Sequence, residues 1–162
     1  MPRPEVVRAS FRPRTVRLLF VGESPPASGR FFYNRDSGLY RAMREAFSIA
    51  DPAMGNENFL NRFQGAGCYL VDLCGKPADD LEPKSRRAAC AAAIPRLARI
   101  IADLRPDSIA TLVRSIENDV KQAASNAGWN GPLIHLPYPG RWITHRRAFI
   151  ESILPVIQKL LR

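Results

Sequence analysis

Leu18-Leu19-Phe20-Val21-Gly22-Glu23-Ser24-Pro25-Pro26 is the stretch on which the fold turns. An apolar run that stops at a glycine followed by two prolines reads as a buried strand, about Arg17 to Val21, entering a rigid loop. Gly22 lets another group approach the backbone closely. Each proline fixes its own φ and pushes the residue before it into extended geometry. Glu23 and Ser24 are thereby held on stiff backbone at a strand end. Taken alone, the same stretch is equally well an ordinary strand exit.

The pattern recurs along the chain. A second strand, Cys68-Tyr69-Leu70-Val71-Asp72-Leu73, is opened by Gly65 and Gly67 and followed by a loop containing Gly75, Pro77 and Pro83. A third spans Ser108 to Val113, and Ser115 can cap a helix running on to about Ala127. The fourth, Pro132 to Leu136, ends at Pro137-Tyr138-Pro139-Gly140. Between the strands lie helical patterns. Asp36 or Ser37 can cap a helix to about Ile49 that puts Leu39, Met43, Ala46 and Phe47 on one face. A short helical piece, about Glu57 to Phe63, follows the break at Asp51-Pro52. An alanine-rich helix runs from Ser85 to about Leu104, with Pro95 marking a kink or the start of a separate helix. Thr144 can cap a last helix through Leu161, bent at Pro155. Residues 1–15 are polar, basic and proline-containing, which predicts a poorly ordered arm or an irregular lead-in.

Strands alternating with helices in this way predict an α/β protein: a three-layer α/β/α sandwich around a central four-stranded parallel sheet, with right-handed crossovers. At 162 residues a single domain over 1–162 is expected. Ligands of such sheets bind beyond the carboxyl ends of the strands. Four segments end there: Glu23 to Pro26, Asp72 to Lys76, Arg114-Ser115, and Pro137 to Trp142.

The charge balance points the same way. Lys and Arg total 24 against 15 Asp and Glu, a net charge of +9. Arginine dominates the surplus, and its fork binds phosphate bidentately, so nucleic acid is the leading partner; a generic basic surface is the plain alternative. Three cysteines, Cys68, Cys74 and Cys90, contain no CxxC pair, which argues against a disulfide framework and against zinc or iron–sulfur ligation. A reducing, cytoplasmic setting is expected. The apolar runs are too short to span a bilayer, and Met1-Pro2-Arg3-Pro4 lacks the apolar core of a signal peptide.

Two loops carry a family resemblance. Gly22-Glu23-Ser24-Pro25-Pro26 resembles the first motif of the uracil-DNA glycosylase superfamily, and Leu136-Pro137-Tyr138-Pro139-Gly140-Arg141-Trp142 its second. Between them, Phe31 or Phe32 matches the aromatic on which that family stacks the extracted base, and Asp72 falls where several branches place a base-reading Asn. The departures are specific. Ser24 stands where many members have a water-activating Asp or Asn, while Glu23, one residue after the glycine, is present as in the thermostable branch. Leu136 takes the place of the second-motif His, with His135 one position earlier.

What the resemblance implies can be set against the chemistry. Cleaving a base from deoxyribose builds positive charge on the sugar and negative charge on the departing base, so a placed water and an anion-stabilising site are needed. Glu23 is the candidate to activate water and offset the sugar's charge, and Ser24 can orient water; Glu23 could equally cap a helix or pair with an arginine. Gly22, Phe31, Phe32, Asp72 and His135 are candidates around the base. Asp72 could accept from a base N–H, and a buried capping role competes with that. His135, inside an apolar strand, reads equally as a core histidine, and Tyr33 or one of the phenylalanines as a core anchor.

DNA contacts are expected from Pro25, Pro26, Arg30, Lys76, Pro137, Tyr138, Pro139, Gly140, Arg141, Trp142, Thr144 and Arg146, with Arg141 or Trp142 as the wedge that fills the place of an everted nucleotide. Arg147 and Lys84 are further phosphate candidates. The expected activity is that of a monofunctional DNA glycosylase of base-excision repair, acting as a monomer on uracil or a related deaminated base, without metal or cofactor. A catalytically weak binding module for damaged or single-stranded DNA on the same fold is the alternative. A parallel-sheet protein for a small phosphorylated ligand is a third reading.

Overall fold

The computed structural model describes residues 3–55 and 57–162. Its sheet consists of β1 (Leu18–Gly22), β2 (Cys68–Asp72), β3 (Ser108–Thr111) and β4 (Leu133–His135), in the order β2-β1-β3-β4. Every neighbouring pair is parallel, and β1 meets β2 in register from Leu18↔Cys68 to Gly22↔Asp72. All residues of β1 and β2 are buried, as unbroken apolar runs covered on both faces must be.

The helices are α1 (Pro4–Ser10), α2 (Gly38–Ala50), α3 (Phe59–Gly65), α4 (Pro83–Ala92), α5 (Ile94–Leu104), α6 (Glu117–Asn126) and α7 (Ile143–Leu160). Helix α2 packs on α7 and α5 on α6. Right-handed crossovers put α2 on one face and α5 and α6 on the other, and α7, which follows the last strand, packs back on α2. The step from β1 to β2 runs one way across the sheet and the steps to β3 and β4 the other, so their helices fall on opposite faces. The result is the expected three-layer sandwich, and its strand order reverses between β1 and β3, where the loops diverge and leave a crevice.

An aromatic cluster fills the layer under α2 and α3. Phe20 stacks on Phe63 with ring centroids 5.8 Å apart, and Phe47, Phe59 and Tyr40 pack edge-on around them. Each such fully buried side chain contributes about 1.5–3 kcal/mol by leaving water. Ser37 rather than Asp36 caps α2, its Oγ accepting from the Tyr40 amide at 3.1 Å.

Three expectations are corrected, and of the two readings of Pro95 the structure takes the second. Residues 4–10 form α1 instead of a poorly ordered arm or an irregular lead-in: Pro4 starts the helix, Phe11 stacks on Tyr33 at 5.4 Å, and Arg8 is buried. Tertiary contacts made by Arg8 and Phe11 outweigh the polar composition of the segment. Met1 and Pro2 of that expected arm lie outside the described residues. Pro95 opens α5 as a separate helix, in the first turn, where its missing N–H costs nothing. Ser115 caps nothing, because it lies in a 3₁₀ turn (Arg114–Ile116) that leads into α6. Thr144 sits inside α7, and the N-cap position is taken by Trp142 in extended geometry without a side-chain cap bond.

Candidate functional site

A cavity of about 290 Å³ opens beyond the carboxyl ends of the strands. Its walls come from every quarter of the sheet: Gly22 through Pro26 after β1, Asp72 at the end of β2, Leu112 and Val113 after β3, and Tyr138 after β4. Phe31, Phe32, Ser37 and Leu39 close it from the segment before and into α2, Asp79 and Arg86 from the β2–α4 side, and Arg8 from α1. Pro25, Pro26 and Tyr138 therefore share one rim, so the two proline-stiffened loops converge.

The first loop is held by backbone. The Leu73 amide donates to Gly22 O and the Cys74 amide to Glu23 O, both at 2.8 Å, which carries the β1–β2 ladder past the strand ends. Ser24 Oγ accepts from the Ala78 amide at 3.1 Å and so ties this loop to the one after β2, while its own proton stays available to a ligand or water. The Glu23 carboxylate is gripped by the Arg86 fork, Nε donating to Oε2 at 2.8 Å and Nη2 to Oε1. The Cys90 thiol lies 3.7 Å from Oε2 and the same distance from the Cys74 sulfur. A carboxylate held this way is fixed in position at the cavity wall, where it can stabilise positive charge. Arg86 escaped the sequence reading: within the alanine-rich run of α4 nothing sets it apart from Arg87.

Asp72 is buried against two arginines. Arg8 Nη2 lies 3.3 Å from its Oδ2, and Arg96 Nη1 donates to the main-chain oxygens of Asp72 and Leu73 at 2.7 and 3.0 Å. Burial pushes its carboxyl up to about 6, against the pull of Arg8 and Arg96 and with a smaller push from Glu23. Gly22 proves to be the point of close approach: a Cβ there would lie 2.7 Å from Asp72 Oδ1. Neither Arg8 nor Arg96 carried a sequence signal, since each is one arginine among many.

Of the three consecutive aromatics, Phe31 and Phe32 line the cavity and Tyr33 does not. Tyr33 belongs to the core, its hydroxyl accepting from the Leu70 amide at 2.8 Å. Phe32 is locked edge-on against Tyr33 and Tyr40, whereas Phe31 carries the Arg8 guanidinium 5.1 Å from its ring centre. The Phe31 amide donates to Asp36 Oδ1 at 2.7 Å, fixing the turn that presents it.

A shallow groove of about 500 Å³ adjoins the cavity and shares Tyr138 with it. It is lined by Arg30, Arg41, Arg141 and Arg146, by Pro139, Gly140 and Trp142, and by Ile143. Trp142 is 62 % exposed, so it does not pack against α7 as a core residue. Arg146 is oriented by Glu45, its Nε donating at 2.6 Å. Gly140 sits tight on His145, whose Nδ1 would be 2.7 Å from an added Cβ. Arg41, on α2, is a groove cation that sequence reasoning did not single out.

Four expected site residues fall elsewhere. Lys76, Pro137 and Thr144 are exposed and line neither the cavity nor the groove. His135 lines neither the cavity nor the groove and is not a core histidine. Its side chain is 43 % exposed at the short edge strand β4, with Nδ1 2.8 Å from Thr111 Oγ1 and 3.8 Å from Glu117 Oε2.

The fold and site together define an α/β protein with a largely apolar cavity at the strand ends, which carries Glu23, Asp72 and Asp79 beside Arg8 and Arg86, and an arginine groove next to it. No family model matches the chain, and no curated protein shows significant similarity to it. Among the described residues, no helix is long and apolar enough to cross a membrane.

Proposed function

We propose that the protein is a monofunctional DNA glycosylase, a divergent member of the uracil-DNA glycosylase superfamily, that hydrolyses the N-glycosidic bond of uracil or a related deaminated base everted from DNA. One observation carries the reading: the Gly22–Pro26 loop and Tyr138 of the second proline loop meet at a single cavity walled by Phe31 and Phe32, and Tyr138 also lines the adjoining arginine-rich groove.

In this reading Arg30, Arg41, Arg141 and Arg146 hold the phosphate backbone along the groove. The everted base enters the cavity and packs on Phe31, recovering about 1–3 kcal/mol of the few kcal/mol lost by unstacking. Arg141 or Trp142 fills the vacated space in the duplex. As the glycosidic bond lengthens, the Glu23 carboxylate stabilises the cationic sugar and the Ser24 hydroxyl orients the attacking water. The water adds to the sugar carbon, the base leaves with the bonding electron pair, and the proton lost by water ends on the base or on solvent.

The test is incubation of the purified protein with oligonucleotides carrying uracil, hypoxanthine, xanthine or a thymine mismatch, single- and double-stranded, followed by scoring of abasic sites. Activity is expected, with Glu23→Gln lowering the rate by about 10² or more. Absence of abasic sites on every substrate would overturn the reading. A second reading, a binding module on the same fold, is favoured by the Glu23–Arg86 pair, which occupies both oxygens of the one carboxylate on the first loop. Tight uracil-selective binding with no base released would select it.

A further inference from the structure

Arg8 poses a problem that structural packing does not solve. It is 8 % exposed, its Nε–H has no acceptor among the described residues, and its one ion pair, to Asp72, spans 3.3 Å. A guanidinium has five N–H donors, and leaving them unmet in a dry setting is costly. A buried pair of this kind is at best neutral for stability compared with apolar residues of similar size. The partner is equally under-used. Asp72 Oδ2 faces Arg8, while Oδ1 accepts no hydrogen bond among the described residues and lies over Gly22, the one residue type that leaves it room. Both side chains border the cavity, next to Phe31.

We propose that Arg8, delivered by α1, is a specificity-determining residue: with Asp72 it forms a donor–acceptor pair that reads the lactam edge, O=C–N–H, of a base lying on Phe31. The inference rests on the glycosylase reading and assigns it a chemical basis for base choice. Uracil presents this edge as O4 with N3–H, and hypoxanthine as O6 with N1–H. Arg8 donates to the carbonyl and Asp72 accepts from the ring N–H. Cytosine and adenine present the reverse, an amino group beside a bare ring nitrogen. Turned to this pair, they set N–H against N–H and a lone pair against a carboxylate. A mismatched edge in a closed pocket leaves both protein groups unpaired, and a bidentate match of this kind discriminates by about 5- to 150-fold. The guanidinium also lies where negative charge grows on the departing base, which it would stabilise.

The experiment is an NMR titration of the full chain with free uracil, cytosine, hypoxanthine and adenine, which needs no catalysis. The wild-type protein should bind uracil over cytosine, and hypoxanthine over adenine, by about tenfold or more. Arg8→Met, similar in length and uncharged, should reduce both ratios to within about threefold, and Arg8→Lys should restore part of them. If Arg8→Met fails to fold, Arg8→Gln carries the test: its amide can turn either its nitrogen or its oxygen to the base, so both ratios should narrow in the same way. Unchanged ratios in a folded Arg8→Met or Arg8→Gln protein would overturn this inference and leave the glycosylase reading standing. Failure of the wild-type protein to bind any of the four bases would overturn base capture itself, and this inference with it.

Discussion

Replacing Gly22 by alanine tests the geometry on which the site depends. The new Cβ would stand 2.7 Å from Asp72 Oδ1, where ordinary contacts lie at 3.4–4 Å. The backbone cannot absorb the overlap cheaply. Gly22 O accepts from the Leu73 amide at 2.8 Å, and Asp72 O from Arg96 at 2.7 Å, so both strand ends are pinned. The remaining escape is rotation of the Asp72 side chain, which breaks the buried pair with Arg8 at a cost of about 3–5 kcal/mol. Local strain at the clash costs less, about 1–3 kcal/mol, so strain sets the penalty and about 2 kcal/mol is expected. Removing the clashing atom isolates this term. In an Asp72→Ala background the same Gly22→Ala change should cost under about 0.5 kcal/mol, because alanine is no worse than glycine in a strand that tolerates it. Urea unfolding of the wild type, both single variants and the double variant measures the coupling. Equal penalties in the two backgrounds would show that Gly22 is not there to admit the Asp72 carboxylate.

Further outcomes follow from the same contacts. Asp72 titrates at about 6 in the folded chain against an ordinary value of 3.8, so the folded state holds the proton more tightly. Its contribution therefore favours folding below about pH 4 and is lost as pH rises through 6; between pH 4 and 7.5 the wild type should lose about 2 kcal/mol relative to Asp72→Asn, and parallel stability curves would refute it. Arg86→Ala should destabilise by about 1 kcal/mol, a figure kept small because the Arg86 side chain is 40 % exposed, and Glu23→Gln added to it should cost no more by thermal unfolding. Trp142→Ala should leave stability within about 0.5 kcal/mol, since the ring is mostly solvated, yet weaken DNA binding by about tenfold in fluorescence anisotropy. An unchanged affinity would remove Trp142 from the interface.

The architecture was legible because its signals are local. Apolar runs ending in glycine or proline mark β1, β2 and the exit of β4, and their alternation with helical stretches dictates a parallel sheet. The loops after β1 and β4 were also legible as site elements, because proline stiffens backbone in a way that sequence displays directly. The polar partners were not. Arg8, Arg86 and Arg96 matter through what they touch across the fold, and in a chain with so many arginines no spacing rule separates them from their neighbours. The lead-in was misread for a related reason: its order comes from Arg8 reaching Asp72 and Phe11 reaching Tyr33, contacts 64 and 22 positions away. Thr144 and Ser115 illustrate the opposite error, residue types suited to capping at positions where the chain was already turning without them.

The linker between α1 and β1 exposes Arg14, followed by Thr15, to solvent. A trypsin-like protease nicking there would free α1 from covalent attachment while sparing the sheet, which begins at Leu18. Such a trimmed preparation would keep its strand ends and both proline loops but lack one cationic wall. Assays on it would then describe a roomier and less discriminating hollow than the intact chain encloses, and mass measurement of each sample is the safeguard.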